Sequence, residues 1–113
     1  MVAMNNKRQE NIMKLYTINA TWVRPNVTTL RVPYSHTVSN VLGDYGIDGF
    51  TLYEVDGYWM GVNEVSYKIE VALTDEQAKS ILEVCEKLRA LYDQDAVMLT
   101  YPDNSVEFIE RGE

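Results

Sequence analysis

The hydrophobic period changes at Thr74, and that switch limits the folds open to this chain more than any other feature. Before it, Tyr67, Ile69, Val71 and Leu73 alternate with Ser66, Lys68, Glu70 and Ala72, the two-residue period of a strand. After it, Ala78, Ile81, Leu82, Cys85, Leu88 and Tyr92 recur at the helical period. Thr74 and Gln77 have the spacing of a capping box, with Thr at the N-cap and Gln at N3. Asp75 and Glu76 stand in the first turn, where the helix dipole favours negative charge. The pattern predicts a strand over Glu64 to Leu73 that runs directly into a helix ending near Tyr92.

The other segments arrange themselves around this unit. Leu15 to Trp22 reads as a strand with Tyr16, Ile18, Ala20 and Trp22 on one face and Thr17, Asn19 and Thr21 on the other. Residues 23–33 contain Pro25 and Pro33 and read as loop or edge structure. Tyr34 to Tyr45 suits a short helix ending at Gly43 or Gly46. Gly49 to Val55 is a strand of β-branched and aromatic residues, which Asp56-Gly57 is expected to break. Ala96 to Tyr101 is a strand, Pro102 to Ser105 a turn, and Val106 to Ile109 a short last strand. The order β, α, β, β, α, β with an extra C-terminal strand predicts an α+β, ferredoxin-like βαββαβ fold. Residues 1–13 are polar and read as a flexible N-terminal tail, and residues 14–113 as a single ferredoxin-like domain.

Such a fold has an antiparallel sheet with both helices on one face, so a monomer needs a polar opposite face. Here Phe50, Thr51, Leu52, Tyr53 and Val55 put bulk on both sides of one strand, and Met98 opposes Val97 and Leu99 on another. A sheet apolar on both faces needs a second cover, and the expected cover is other subunits of the same chain. That expectation also answers a problem of size. A chain of 113 residues builds one core and little more, so a deep cleft has to lie between subunits.

Composition removes several classes of function. With 17 Asp plus Glu against 10 Lys plus Arg, the net charge of −7 argues against nucleic-acid binding, which draws its affinity from Lys and Arg. No apolar run approaches the roughly 20 residues that span a bilayer, and the N-terminus lacks the apolar core of a secretory signal. A cytoplasmic protein is expected, and the sequons at Asn19 and Asn26 read as chance. The single Cys85 lies on the apolar stripe of the second helix and reads as a small core residue. His36 is the only histidine and reads as a surface or helix-start residue. No phosphate-binding, zinc-protease or serine-hydrolase motif is present, and neither metal nor cofactor is expected.

One stretch does not explain itself as a connection. Asp56-Gly57-Tyr58-Trp59-Met60-Gly61-Val62-Asn63-Glu64 joins two central strands yet carries Tyr, Trp and Met. It reads either as a hairpin whose aromatics cap the core or a subunit contact, or as a ligand loop. In the second case the aromatic faces hold a flat or cationic group and Glu64 neutralises a positive charge.

The series Gly49-Phe50-Thr51 through Gly57-Tyr58-Trp59, then Glu64 with Ser66 at the strand start, resembles the PII-like fold. So does Tyr92-Asp93-Gln94-Asp95-Ala96-Val97-Met98-Leu99, where a helix end leads into a core strand. Within that fold the chain is similar to the small S-adenosylmethionine-degrading enzymes of bacteriophages, over roughly residues 35–101. The segment between Tyr58 and Glu64 is shorter than in those enzymes, which leaves Tyr53 and Tyr58 both open as the tyrosine of the site.

The resemblance implies a homotrimer with sites between subunits, and a lyase that cleaves S-adenosylmethionine to homoserine lactone and 5'-methylthioadenosine. It implies Glu64 with Tyr58 or Tyr53 as catalytic residues, and Gly57, Trp59 and Ser66 as ligand-binding ones. The same residues also suit a noncatalytic PII-like protein that binds an adenine nucleotide or a host protein.

Overall fold

The computed structural model describes residues 12–21 and 34–112; within them the side chains of Thr21, Tyr34, Ser35, Trp59, Asn63, Glu64 and Val65 lie outside the description. The expectations for most of the N-terminal tail, for the loop over 23–33 and for the sequon at Asn26 fall outside the described residues. The elements are β1 (Lys14–Thr21), α1 (Tyr34–Asp44), β2 (Thr51–Trp59), β3 (Val62–Leu73), α2 (Asp75–Ala78), α3 (Ile81–Leu91), β4 (Ala96–Thr100) and β5 (Val106–Glu110). They form one sheet in the order β2-β3-β1-β4-β5, antiparallel at every pairing. This is the ferredoxin-like arrangement with one added edge strand, β5, as the order of elements predicts.

The alternation read in the sequence decides which face of the sheet is covered. Tyr16, Ile18 and Ala20 of β1, Ile69, Val71 and Leu73 of β3, and Val97 and Leu99 of β4 are all buried. They meet Val38, Val41 and Leu42 of α1 and Ile81, Val84, Cys85 and Leu88 of α3 in one core. Removing each such aliphatic side chain from water contributes about 1.5–3 kcal/mol.

The opposite face is more mixed than the sequence alone suggests. By register it carries Tyr53 and Val55 toward one edge and Met98, Val106 and Phe108 toward the other. Between them stand Thr17, Asn19, Lys68 and Glu70. Phe108 is 55% exposed and Tyr53 44%.

The helix expected over 74–92 is divided. The capping box is formed as read: the Gln77 backbone N–H donates to the Thr74 hydroxyl at 3.2 Å, and the Thr74 N–H donates to Gln77 Oε1 at 3.0 Å. The chain then tightens. Lys79 N donates to the Glu76 carbonyl at 3.3 Å and Ser80 N to the Gln77 carbonyl at 3.2 Å, both three residues back. Such bonds wind the backbone more tightly than an α-helix does, and α3 starts afresh at Ile81. The 3.6 period still holds for the packed residues, because α3 supplies almost all of them.

Candidate functional site: the β2–β3 hairpin

The stretch 56–64 is no loop. Strand β2 runs straight through Asp56-Gly57 to Trp59, and the ladder continues from Thr51 opposite Glu70 to Trp59 opposite Val62. Only Met60 and Gly61 turn the chain, with φ of 51° and 80°. Two central residues with positive φ match the right-handed twist of the flanking strands, which is why two-residue hairpins favour them. Asp-Gly is itself a common turn pair, so its presence points to the wrong place. Gly61, free of a Cβ, takes the left-handed position at lower cost, and the β-branched and aromatic residues on either side complete the ladder.

The register then sorts the six residues implied in the site. Gly57, Trp59 and Tyr53 of β2 fall on the same sheet face as positions 64 and 66 of β3, which is the face turned away from the helices. Glu64 lies opposite Gly57, so the position facing it carries no side chain. Ser66 lies opposite Val55 and is half-buried. Tyr58 falls on the other face, in line with Leu52, Glu54 and Asp56, and is 72% exposed.

Tyr53 is engaged inside its own sheet. It pairs across the ladder with Lys68, whose ammonium lies 5.7 Å from the ring centroid. The Glu70 charge, and then a hydrogen bond from the Tyr53 hydroxyl to that carboxylate, hold its pKa above the usual tyrosine value. Glu70 in turn lies 3.8 Å from Lys68. Alternation alone marks Lys68 and Glu70 as no more than outward-facing residues, and the cross-strand register is what joins them to Tyr53. Tyr53 is also four residues from Gly57 along β2, about 13 Å at the rise of a strand.

The second segment that carries the resemblance, Gln94 to Leu99, is occupied with structure. The Gln94 side chain is buried and donates to the Tyr92 backbone carbonyl at 2.7 Å, while the Gln94 backbone carbonyl accepts from Arg89 Nη1 at 3.1 Å. Arg89 is held by two further hydrogen bonds to Glu86, one at 2.9 Å. Arg111 closes the same corner, with Nη2 at 2.6 Å from Asp93 and Nε at 3.6 Å from Asp95. These residues fasten the end of α3 to the start of β4 and to the chain after β5.

Cys85 is fully buried, and burial, with the Glu107 charge second, pushes its thiol up to about 12. A thiol so held is no nucleophile near neutral pH. His36 is exposed, in the first turn of α1. Among the described residues no group of three or more His, Cys, Asp or Glu is arranged to hold a metal ion. Two open grooves lie on the helix side. One, of about 480 Å³, is lined by Tyr45, Leu82 and Lys87 among others, and one of about 330 Å³ by Lys14, Tyr16 and Tyr101 among others. Neither touches the hairpin.

The architecture has solved counterparts. A phage SAM lyase in its apo state superposes with a TM-score of 0.68 at 16% identity, over 89% of this chain and 92% of that one. CPII, a nitrogen regulatory PII-like protein from Thiomonas intermedia K12 bound to ADP, AMP and bicarbonate, superposes with a TM-score of 0.52 at 15% identity, over 89% and 93%. The fold is that of the PII-like proteins and the phage lyase. No protein-family model and no curated protein matches the sequence. The PII-like frame accounts for the sheet order and for both helices on one face. No helix among the described residues is long and apolar enough to cross a membrane.

Proposed function

We propose that this protein is an S-adenosylmethionine lyase, working in the cytoplasm as a homotrimer with its sites between subunits. The observation that carries the reading is the register of the β2–β3 hairpin, in which position 64 lies opposite Gly57 and shares a sheet face with positions 59 and 66. The likeness in fold to a phage SAM lyase supports it.

The reaction suits this set of residues. The substrate's own carboxylate oxygen attacks the side-chain carbon bonded to the sulfonium, a carbon–oxygen bond forms, and the carbon–sulfur bond breaks with its electron pair going to sulfur. Homoserine lactone and 5'-methylthioadenosine leave, and no proton has to move. The nucleophile belongs to the substrate, so the protein's task is to hold a folded conformer and exclude water. In a dry site the attacking carboxylate and the sulfonium are a costly pair of separated charges, and the reaction discharges both. Glu64 accepts hydrogen bonds from the α-ammonium and orients the methionyl part. A tyrosine hydroxyl assists at the same end, and the aromatic Trp59 offers a face to the adenine. A cover over Tyr53, Val55, Met98 and Phe108 is the role of the neighbouring subunits.

Incubation of the pure protein with S-adenosylmethionine should yield methylthioadenosine and homoserine lactone, read by liquid chromatography. Absence of turnover at high protein concentration sinks the reading. Glu64→Ala should lower kcat/KM about 10- to 100-fold, the worth of a charge-assisted hydrogen bond of about 1.5–3 kcal/mol, with light scattering still giving a trimer.

A second reading is a noncatalytic binder of an adenine nucleotide, and the likeness to an ADP- and AMP-bound PII-like protein favours it. A thermal-shift comparison separates the two, because a ligand that binds only the folded chain raises the midpoint. Stabilisation by ADP or ATP and none by S-adenosylmethionine or its products decides for the binder.

A further inference from the structure

At the end of the sheet far from the hairpin lies the groove of about 330 Å³. Its walls are Lys14 and Tyr16 of β1, Tyr101 just after β4, and Pro102, Asp103 and Ser105 of the turn that follows. Lys14 stands opposite Leu73, the last residue of β3. The turn at Met60-Gly61 precedes the first residue of that strand, so groove and hairpin tip are roughly 36 Å apart along it. Small-molecule sites run from roughly 300 to 1,000 Å³, so this one suits a small occupant.

Tyr16 brings an unused hydroxyl to the groove. The residue is 9% exposed, and its ring meets the Tyr101 ring edge-on, with centroids 6.0 Å apart. Among the described residues no hydrogen bond engages the Tyr16 hydroxyl. A buried phenol normally finds a partner, because a donor left unmet is costly. The Tyr101 hydroxyl, by contrast, donates to Glu107, which leaves the Tyr101 ring as a wall. Lys14 precedes Tyr16 by two residues and shares its face of β1. The two side chains start about 6–7 Å apart, close enough for ammonium and hydroxyl to converge on one carboxylate. The Lys14 ammonium lies 3.5 Å from Asp75, but that pair is exposed and yields readily.

The turn supplies the opposite charge. The Ser105 N–H and hydroxyl both donate to Oδ1 of Asp103, at 2.9 and 2.6 Å. The other carboxylate oxygen has no partner among the described residues. The Ser105 hydroxyl first, and its N–H second, hold the Asp103 carboxyl below the usual range, so it is ionised at neutral pH.

We propose that this groove binds a free aromatic α-amino acid. The ligand's carboxylate accepts from the Lys14 ammonium and the Tyr16 hydroxyl, its ammonium donates to Asp103, and its ring lies against Tyr101 and Pro102. A zwitterion suits the groove better than a phosphate does, because Asp75 and Asp103 border it against a single cation. The site is separate from the hairpin and does not depend on the lyase reading.

The test is a titration of the full-length, ¹⁵N-labelled protein with L-phenylalanine, followed by amide NMR. Saturable shifts should appear at residues 14–16 and 101–105, with a midpoint on the order of 1 mM, and none at residues 57–64. L-Phenylalaninamide lacks the carboxylate, 3-phenylpropanoate the ammonium and L-alanine the ring, and each should bind at least about 10-fold more weakly. Tyr16→Phe and Lys14→Gln should each weaken phenylalanine binding about 10-fold or more, as expected for a lost hydrogen bond to a charged group. Tyr16→Phe without ligand should melt no lower than wild type, since no partner of the hydroxyl is lost. A lower melting temperature would give that hydroxyl a structural role and overturn the proposal. So would the absence of saturable shifts, shifts confined to other residues, an analogue that binds as tightly as phenylalanine, or unchanged binding in either variant. None of these readouts involves S-adenosylmethionine, so the failure of this site and the failure of the lyase reading are told apart.

Discussion

Ile69 and Glu64 lie on the same strand, yet they belong to regions governed by different physics. Around Ile69, which is fully buried, β3 has β1 on one side, β2 on the other and the helices above. Apolar area removed from water holds that region, and many residues share the load. At Glu64 the strand has passed the last residue paired with β1, and β2 is its partner among the described residues. There the register and a two-residue turn do the fixing, and large side chains stand exposed. The comparison separates what keeps the protein folded from what is available for chemistry. The body tolerates little change in its buried side chains, whereas the fold asks little of the hairpin arm beyond its register.

The comparison breaks most readily in the body. Leu99→Ala removes a fully buried side chain on the inner strand β4 and should cost about 2–5 kcal/mol in urea unfolding. S-adenosylmethionine turnover per folded molecule should stay unchanged. Lost turnover in fully folded protein would show that body and arm are not separable.

Alkaline pH should act on the body as well. Cys85 is held up to about 12 from an ordinary 9.0, and Tyr101, bonded to Glu107 at 2.5 Å, up to about 12 from 10.0. Above the ordinary values the unfolded chain releases these protons first and gains stability over the folded one. The contribution is complete below pH 9, declines as pH rises and is gone near pH 12. A series of melting temperatures from about pH 8 to about pH 11 should fall steadily, and less steeply in Cys85→Ala after allowance for its lower starting point.

Smaller effects sharpen the contrast from the other side. Gly61→Ala puts a Cβ on a residue with φ of +80° and should cost about 1–2 kcal/mol. The loss should appear as faster amide exchange across β2 and the start of β3, with the melting temperature of the body little moved. Thr74→Ala removes the N-cap hydroxyl that accepts from Gln77 and should lower global stability by about 1 kcal/mol, with no change in turnover. An arm that melted together with the body in both variants would contradict the division.

Much of the body is legible in the order of its residues. The alternation before Thr74 and the helical period after it rest on burial alone, and burial needs no partner-specific geometry to declare itself. Cys85 as a core residue and the capping box at Thr74 follow in the same way. The break expected at Asp56-Gly57 does not form there, because a turn-favouring pair is a local preference of about a kcal/mol, and a long ladder of cross-strand bonds outweighs it. The interruption at Lys79-Ser80 leaves no mark on the pattern, because the apolar spacing is satisfied on both sides of it.

By itself, then, the sequence determined the order of the elements, the covered face of the sheet and the candidate residues at Tyr53, Gly57, Tyr58, Trp59, Glu64 and Ser66. The tertiary structure decided the parity of those candidates. A strand turns every residue to the face opposite its neighbour's, so one turn placed at Met60-Gly61 fixes the face of each. That placement puts Glu64 and Tyr58 on opposite sides of one hairpin, a relation set by cross-strand pairing and by no property of either residue alone.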